Sequence, residues 1–134
     1  GQNLYNLTML GGYAVSKNSG PPEDNQEYAN LKTMSVWGEV HTNGTRWQAG
    51  VFGGWSKNLG LEDDRAGSYY ARGHDIGYVY RIAPRIVLNE GKFRFATELE
   101  WTAAGYGTPD AKGIVEDIKE KGNLRLLLAT YYFF

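Results

Sequence analysis

Two groups of residues in this sequence have types and spacings suited to chemistry. Asp63-Asp64 and His74-Asp75 flank one polar stretch, and an acidic pair set against a His-Asp pair can activate a water molecule for hydrolysis. The second group is a series of polar and charged residues of mixed sign: Glu39, Arg46 and Gln48, then Asp75, Arg81 and Arg85, then Arg94, Glu98 and Glu100, and finally Arg125. Opposed guanidiniums and carboxylates along a water-filled bore create a transverse field that tunes which solutes pass. The same residues in a rigid wall are ordinary structural pairs, each contributing little. The chain has no cysteine, which excludes a disulfide framework, a thiolate metal site and a thiol nucleophile. No zinc spacing, phosphate loop or EF-hand pattern occurs. An Asp-Asp step in a polar loop reads as solvated, so no catalytic residue, metal or cofactor is expected.

The elements that must position these residues follow from length and periodicity. The 134 residues fit one domain. With 14 basic against 15 acidic residues the net charge is -1, so nothing electrostatic favours nucleic acid as a partner. Mean hydropathy is -0.48, and no apolar run is long enough for a membrane-spanning helix. Apolar residues instead recur with a period of two, and Gly is spread through them, which predicts strands. Six segments are expected, at about 4–16, 31–42, 45–57, 70–89, 92–105 and 123–134. Each has one apolar face, for example Val36/Val40, Val51, Ile82/Ile86, Leu99 and Leu124/Leu126/Leu128, and one mostly polar face that carries the charges. Pro84 suggests a bulge or a locally unpaired position in the fourth segment.

Connections alternate in length. Residues 17–30, 58–69 and 106–122 are long and polar, whereas Asn43-Gly44 and Glu90-Gly91 are tight. Asn-Gly predicts a two-residue type I′ turn, pairing Thr42 with Thr45, Val40 with Trp47, Val36 with Val51, Glu39 with Gln48 and Trp37 with Gly50. Trp37 then covers a glycine, or less simply offers a sugar-stacking platform. A turn at Glu90-Gly91 pairs Leu88 with Phe93, Ile82 with Leu99 and Arg81 with Glu100. In both hairpins opposed residues share a face, as antiparallel pairing requires.

Three features choose between lipid and protein as the neighbour of the apolar faces. Strands of about 12 residues exceed the usual 5–6 of soluble sheets and suffice to span a bilayer when tilted. Aromatics sit near both ends of the apolar faces: Tyr5, Trp47, Phe93, Tyr132 and Phe134 toward the tight turns, Tyr13, Trp55 and Trp101 toward the long loops. Two such girdles mark membrane interfaces. Short turns at one end and long loops at the other complete the pattern of an outer-membrane barrel.

The last segment carries a family resemblance. Leu124, Leu126, Leu128, Tyr132 and the terminal Phe134 resemble the C-terminal signal of Gram-negative outer-membrane β-barrels, with Thr130 a mild departure. The Tyr-Tyr-Phe-Phe ending, together with Ala103-Ala104-Gly105-Tyr106-Gly107, resembles porin-like proteins of the Bacteroidota. The resemblance implies an all-β, antiparallel up-and-down transmembrane barrel in the outer membrane, with outer-membrane lipid and the barrel-assembly machinery as partners and passive diffusion of small hydrophilic solutes as the function. Six strands do not close a membrane barrel, so the chain is expected to be the C-terminal part of a larger one, completed by further strands of the same protein or by other chains, a homo-oligomer among them. Two rival readings are a soluble antiparallel barrel or sandwich that binds a ligand, and an enzyme or adhesin built on the rim loops. The acidic and His-Asp pairs resemble those of omptin-type outer-membrane proteases, although that family draws its pairs from opposite walls and here both belong to one loop region.

Overall fold

The computed structural model describes residues 12–18 and 26–134. Every regular element among them is a strand: β1 (Tyr13–Asn18), β2 (Gln26–Asn30), β3 (Lys32–His41), β4 (Trp47–Gly60), β5 (Tyr69–Tyr70), β6 (Ile76–Glu90), β7 (Phe93–Pro109) and β8 (Val115–Tyr132). They form two sheets, one of three strands in the order β2-β1-β5 and one of five in the order β3-β4-β6-β7-β8. The larger sheet is an antiparallel meander of successive strands, with β3 and β8 at its edges and no closure between them among the described residues. Alternation of branched and aromatic residues with small or polar ones suits these long pleated elements.

The strands differ from the sequence expectation in informative ways. The expected loop at 106–122 is mostly strand, because β7 runs to Pro109 and β8 begins at Val115. The connection is closed by Asp110, whose Oδ1 accepts the amides of Lys112 and Ile114, both at 2.8 Å, while Gly113 takes φ +72. The charged run Asp117–Lys121, part of that expected loop, is therefore strand with exposed side chains. A backbone ladder holds it there, with Ile118 its one apolar side chain, lying over Gly77 and Gly105. Likewise β4 extends three residues beyond its expected end, and the fourth segment begins at Ile76, residues 69–70 belonging to the other sheet. Residues 26–30, expected in a loop, pair with β1 as β2, Tyr13 opposite Asn30 and Val15 opposite Tyr28. The first expected strand before residue 12, with Tyr5, lies outside the described residues. Pro84 lies within an uninterrupted β6.

Both turns are displaced. Neither Asn43 nor Gly44 has the positive φ that a type I′ turn demands. Instead Thr42 N donates to the Ala49 carbonyl at 2.8 Å, and the Ala49 amide donates to Thr42 Oγ1 at 3.0 Å, closing a wider loop. His41 consequently faces Gly50, where an added Cβ would stand 3.0 Å from the His41 Cβ. The pairs Val40–Trp47, Val36–Val51, Glu39–Gln48 and Trp37–Gly50 are not formed; the Trp37 ring lies 6.5 Å from that of Phe52. At the second hairpin the turn is Gly91-Lys92, with Gly91 at φ +57. A positive φ at the first central position suits Gly, which moves the turn one residue on. Arg81 therefore stands beside Thr102, and Asn89 beside Arg94. Both displacements are even in register, so each side chain keeps its expected face.

By its contacts the chain divides into two compact units. The first holds Gly1–Ser35, Ser56–Val79 and Ala104–Lys121 and contains both buried apolar clusters: Ile76, Val79 and Ala104 in one, and Ala14, Ala29 and Leu61 in the other, against which Leu31 and Tyr69 pack. The second holds Val36–Trp55, Tyr80–Ala103 and Gly122–Phe134. No buried apolar cluster falls within its described residues.

Gly91 tests the turn. Its Cβ position is open space, so a side chain there meets only the backbone cost of positive φ. Gly91→Val is expected to lower stability by about 1–2 kcal/mol and Gly91→Asn by clearly less, read as urea unfolding midpoints.

Candidate functional site

In the second unit the usual relation between polarity and burial is reversed. Val51, Leu99 and Leu126 on the apolar faces are 45%, 44% and 63% exposed, whereas Arg81 and Glu100 on the polar face are 2% and 7% exposed. Exposed apolar surface of this extent marks an interaction with lipid or protein, and buried charges persist only when paired.

The polar face satisfies that condition strand by strand. From β6, Arg81 donates through Nε to Thr102 Oγ1 of β7 at 2.9 Å, and its Nη1 stands 3.1 Å from Glu100 Oε2. The same carboxylate oxygen accepts from Arg125 Nη2 of β8, also at 3.1 Å. On the other side, the Arg85 guanidinium of β6 pairs with Glu39 of β3, which requires it to cross β4. It crosses at Gly50, where an added Cβ would come 3.4 Å from Arg85 Nε. His41 Nδ1 lies 3.6 Å from the same Glu39 oxygen. Nearer the turns, Arg94 Nε donates to Asn89 Oδ1 at 2.7 Å, and its guanidinium lies 5.5 Å from the centre of the Phe133 ring. Arg46 pairs with Glu90 in solvent at 2.8 Å.

Of these side chains His41, Arg85 and Arg94 border a recess of about 370 Å³, lined also by Gln48, Glu98 and Tyr131. Nine of the ten residues expected on a pore face thus lie on one face of this unit or at its turn end. The tenth, Asp75, does not; it sits in the turn before β6, in the first unit, and its carbonyl accepts the Gly107 amide at 2.9 Å. Sequence reasoning selected only charged residues and Gln48, and passed over His41, Asn89, Thr102 and Tyr131, although the alternation places them on this face too.

On the opposite face the aromatics gather at the turn end. The ring of Tyr132 lies 4.9 Å from Phe93 and 5.1 Å from Phe134, and Trp47 is exposed. Trp101 lies against Gly122, where the Trp101 ring occupies the space a Cβ would need. Trp55 is half-buried in β4. Tyr13, in the first unit, stacks on Tyr70 at 5.1 Å and meets Tyr28 edge-on at 5.3 Å.

The catalytic-looking pairs are not brought together as a water-activating group. Asp63 and Asp64 are exposed, and no carboxylate comes within ion-pairing distance of His74 among the described residues. His74 instead stacks on Tyr69 at 4.9 Å, with Arg65 4.6 Å over the tyrosine ring and the Tyr69 hydroxyl donating to the Asp110 carbonyl at 3.2 Å. Among the described residues no cluster of three or more His, Asp or Glu is placed to hold a metal ion. Burial raises the Tyr69 hydroxyl above its ordinary value of 10.0, the Arg65 charge opposing and the Asp110 charge reinforcing the shift.

Comparison of the chain with protein-family models, with curated proteins and with solved structures gives no match.

Two outcomes check this geometry. Glu100→Ala removes the carboxylate beside the buried Arg81 guanidinium and is expected to cost about 3–5 kcal/mol, whereas Arg46→Ala, which breaks an exposed pair, costs about 0–1 kcal/mol; denaturant titration separates them. A raised Tyr69 pKa means the folded state holds its proton longer than the unfolded chain. Its contribution is complete below pH 10.0 and is lost as pH rises from there through the raised value. Tyr69→Phe is expected to flatten that alkaline part of the stability profile, followed by unfolding at graded pH.

Proposed function

We propose that this chain forms part of the wall of an outer-membrane β-barrel channel, through which small hydrophilic solutes diffuse passively. The observation that carries the reading is the burial pattern of the second unit: leucines and valines outward, the paired Arg81 and Glu100 covered. A soluble sandwich needs the opposite, its apolar face inward.

Strand length supports the same reading. β4, β6, β7 and β8 contain 14, 15, 17 and 18 residues, against the 9–11 or so that a tilted strand needs to cross the hydrocarbon layer. An exposed backbone edge in lipid leaves amides and carbonyls unsatisfied, so β3 and β8 require neighbours. Further strands of the same barrel, or other chains, supply them. The face bearing Arg81, Glu100 and Arg125 then lines the bore, and the exposed aromatics Trp47, Phe93, Tyr132 and Phe134 sit at one interface. The exposed Leu124, Leu126 and Leu128 with the aromatic ending suit recognition of the last strand by assembly machinery.

Because the chain lacks cysteine, single cysteines can report on each face in the intact protein inserted in lipid. Cysteine at Leu126 or Val51 is expected to react with a lipid-soluble maleimide and resist a charged one, and cysteine at Glu98 or Arg94 to do the reverse. The protein should also require detergent for extraction and conduct ions in planar bilayers. Extraction by an alkaline wash alone, with Leu126 shielded from both reagents, would overturn the reading in favour of a soluble fold.

A further inference from the structure

The charge balance on the polar face of the second unit leads one step further, and that step rests on the channel reading above. Four guanidiniums, Arg81, Arg85, Arg94 and Arg125, share the face with three carboxylates, Glu39, Glu98 and Glu100. Arg46 and Glu90 cancel each other at the turn end. Glu39 is engaged by Arg85, so that pair is neutral. Arg94 donates to the neutral Asn89 side chain and keeps its full charge, while Glu98, roughly 13 Å along the same strand, stands opposite Arg85.

Glu100 is engaged twice, by Arg81 and by Arg125, through one oxygen. Over the face as a whole, four guanidiniums against three carboxylates leave one surplus positive charge. Burial decides which partner presents it: the Arg81 side chain is 3% exposed and that of Arg125 is 57% exposed. A solvent-exposed ion pair is held weakly, so the Arg125 guanidinium can leave Glu100 for a passing ion. Glu100 is not stranded when it does, because Arg81 still holds it.

We propose that Arg125 makes this wall favour small anions, such as halide, phosphate and carboxylate-bearing solutes, and is a selectivity-determining residue of the passage. Its side chain is more than half exposed and shares a carboxylate that Arg81 already holds, whereas Arg81 and Arg85 each keep a carboxylate partner. A cation meets the same surplus as a barrier.

The test is the reversal potential of the intact protein in planar bilayers under a KCl gradient. The unaltered channel is expected to favour chloride. Arg125→Gln is expected to lower the chloride-to-potassium permeability ratio roughly two- to fourfold, as one unit charge acting through water predicts. Arg125→Glu should move it further toward potassium, and Arg125→Lys, which keeps the charge, should restore most of the preference. Glu98→Gln should raise the preference for chloride. A conducting channel that favours potassium, or whose reversal potential Arg125→Glu leaves unmoved, overturns the role of Arg125 and leaves the channel reading intact. Folded, lipid-inserted protein that conducts nothing overturns the channel reading itself.

Discussion

A single carboxylate oxygen, Oε2 of Glu100, joins three adjacent strands by accepting from Arg81 of β6 and Arg125 of β8. Charges lose most of their hydration when covered to the extent of Arg81 and Glu100 and must recover it from partners of matching geometry. Arg81 does so completely enough that no buried side-chain polar atom among the described residues lacks a hydrogen bond. That requirement explains small neighbours on the same face. Ala83, two residues from Arg81 on the same face of β6, is 2% exposed.

Glycine serves the same end on the same face, toward β3. Arg85 and Glu39 belong to strands that are not neighbours, and their pairing needs a gap in the side chains of β4 between them. Gly50 is that gap. Removing bulk from one strand lets a long guanidinium stem tie the edge strand β3 to the middle of the sheet. The ion pairs on this face therefore run across the strands, as the backbone ladder does.

The two faces make opposite demands on their surroundings. One can be surrounded by water, since its charges are partnered and its outer guanidinium is solvated. The other exposes Val36, Val40, Leu126 and Leu128, and apolar surface of that extent is stable only against apolar material. A bilayer outside and a hydrated bore inside meet both demands at once, which is why the proposed channel accounts for more of the chain than a ligand-binding fold does. The imidazole of His74 stacks on the ring of Tyr69.

Alternation by itself determined that the chain is a set of long strands and which residues share each face. Glu39, Arg46, Arg85 and Arg125 were legible as one polar series, and Val51, Leu99 and Leu126 as one apolar series, because a period of two survives any even shift of register. The partners were not legible. Whether Arg81 stands opposite Glu100 or Thr102 depends on where a turn opens, and that rests on the φ of Gly91, as the register of the other hairpin rests on the hydroxyl of Thr42; two residue names do not fix such choices. The reach of Asp110 to two amides and the ladder that makes Glu116–Lys121 a strand were hidden for a related reason: backbone hydrogen bonds have no signature in side-chain polarity. Only the tertiary structure decided which carboxylate serves two guanidiniums and which of those two meets water, since sharing and burial are properties of three strands brought side by side.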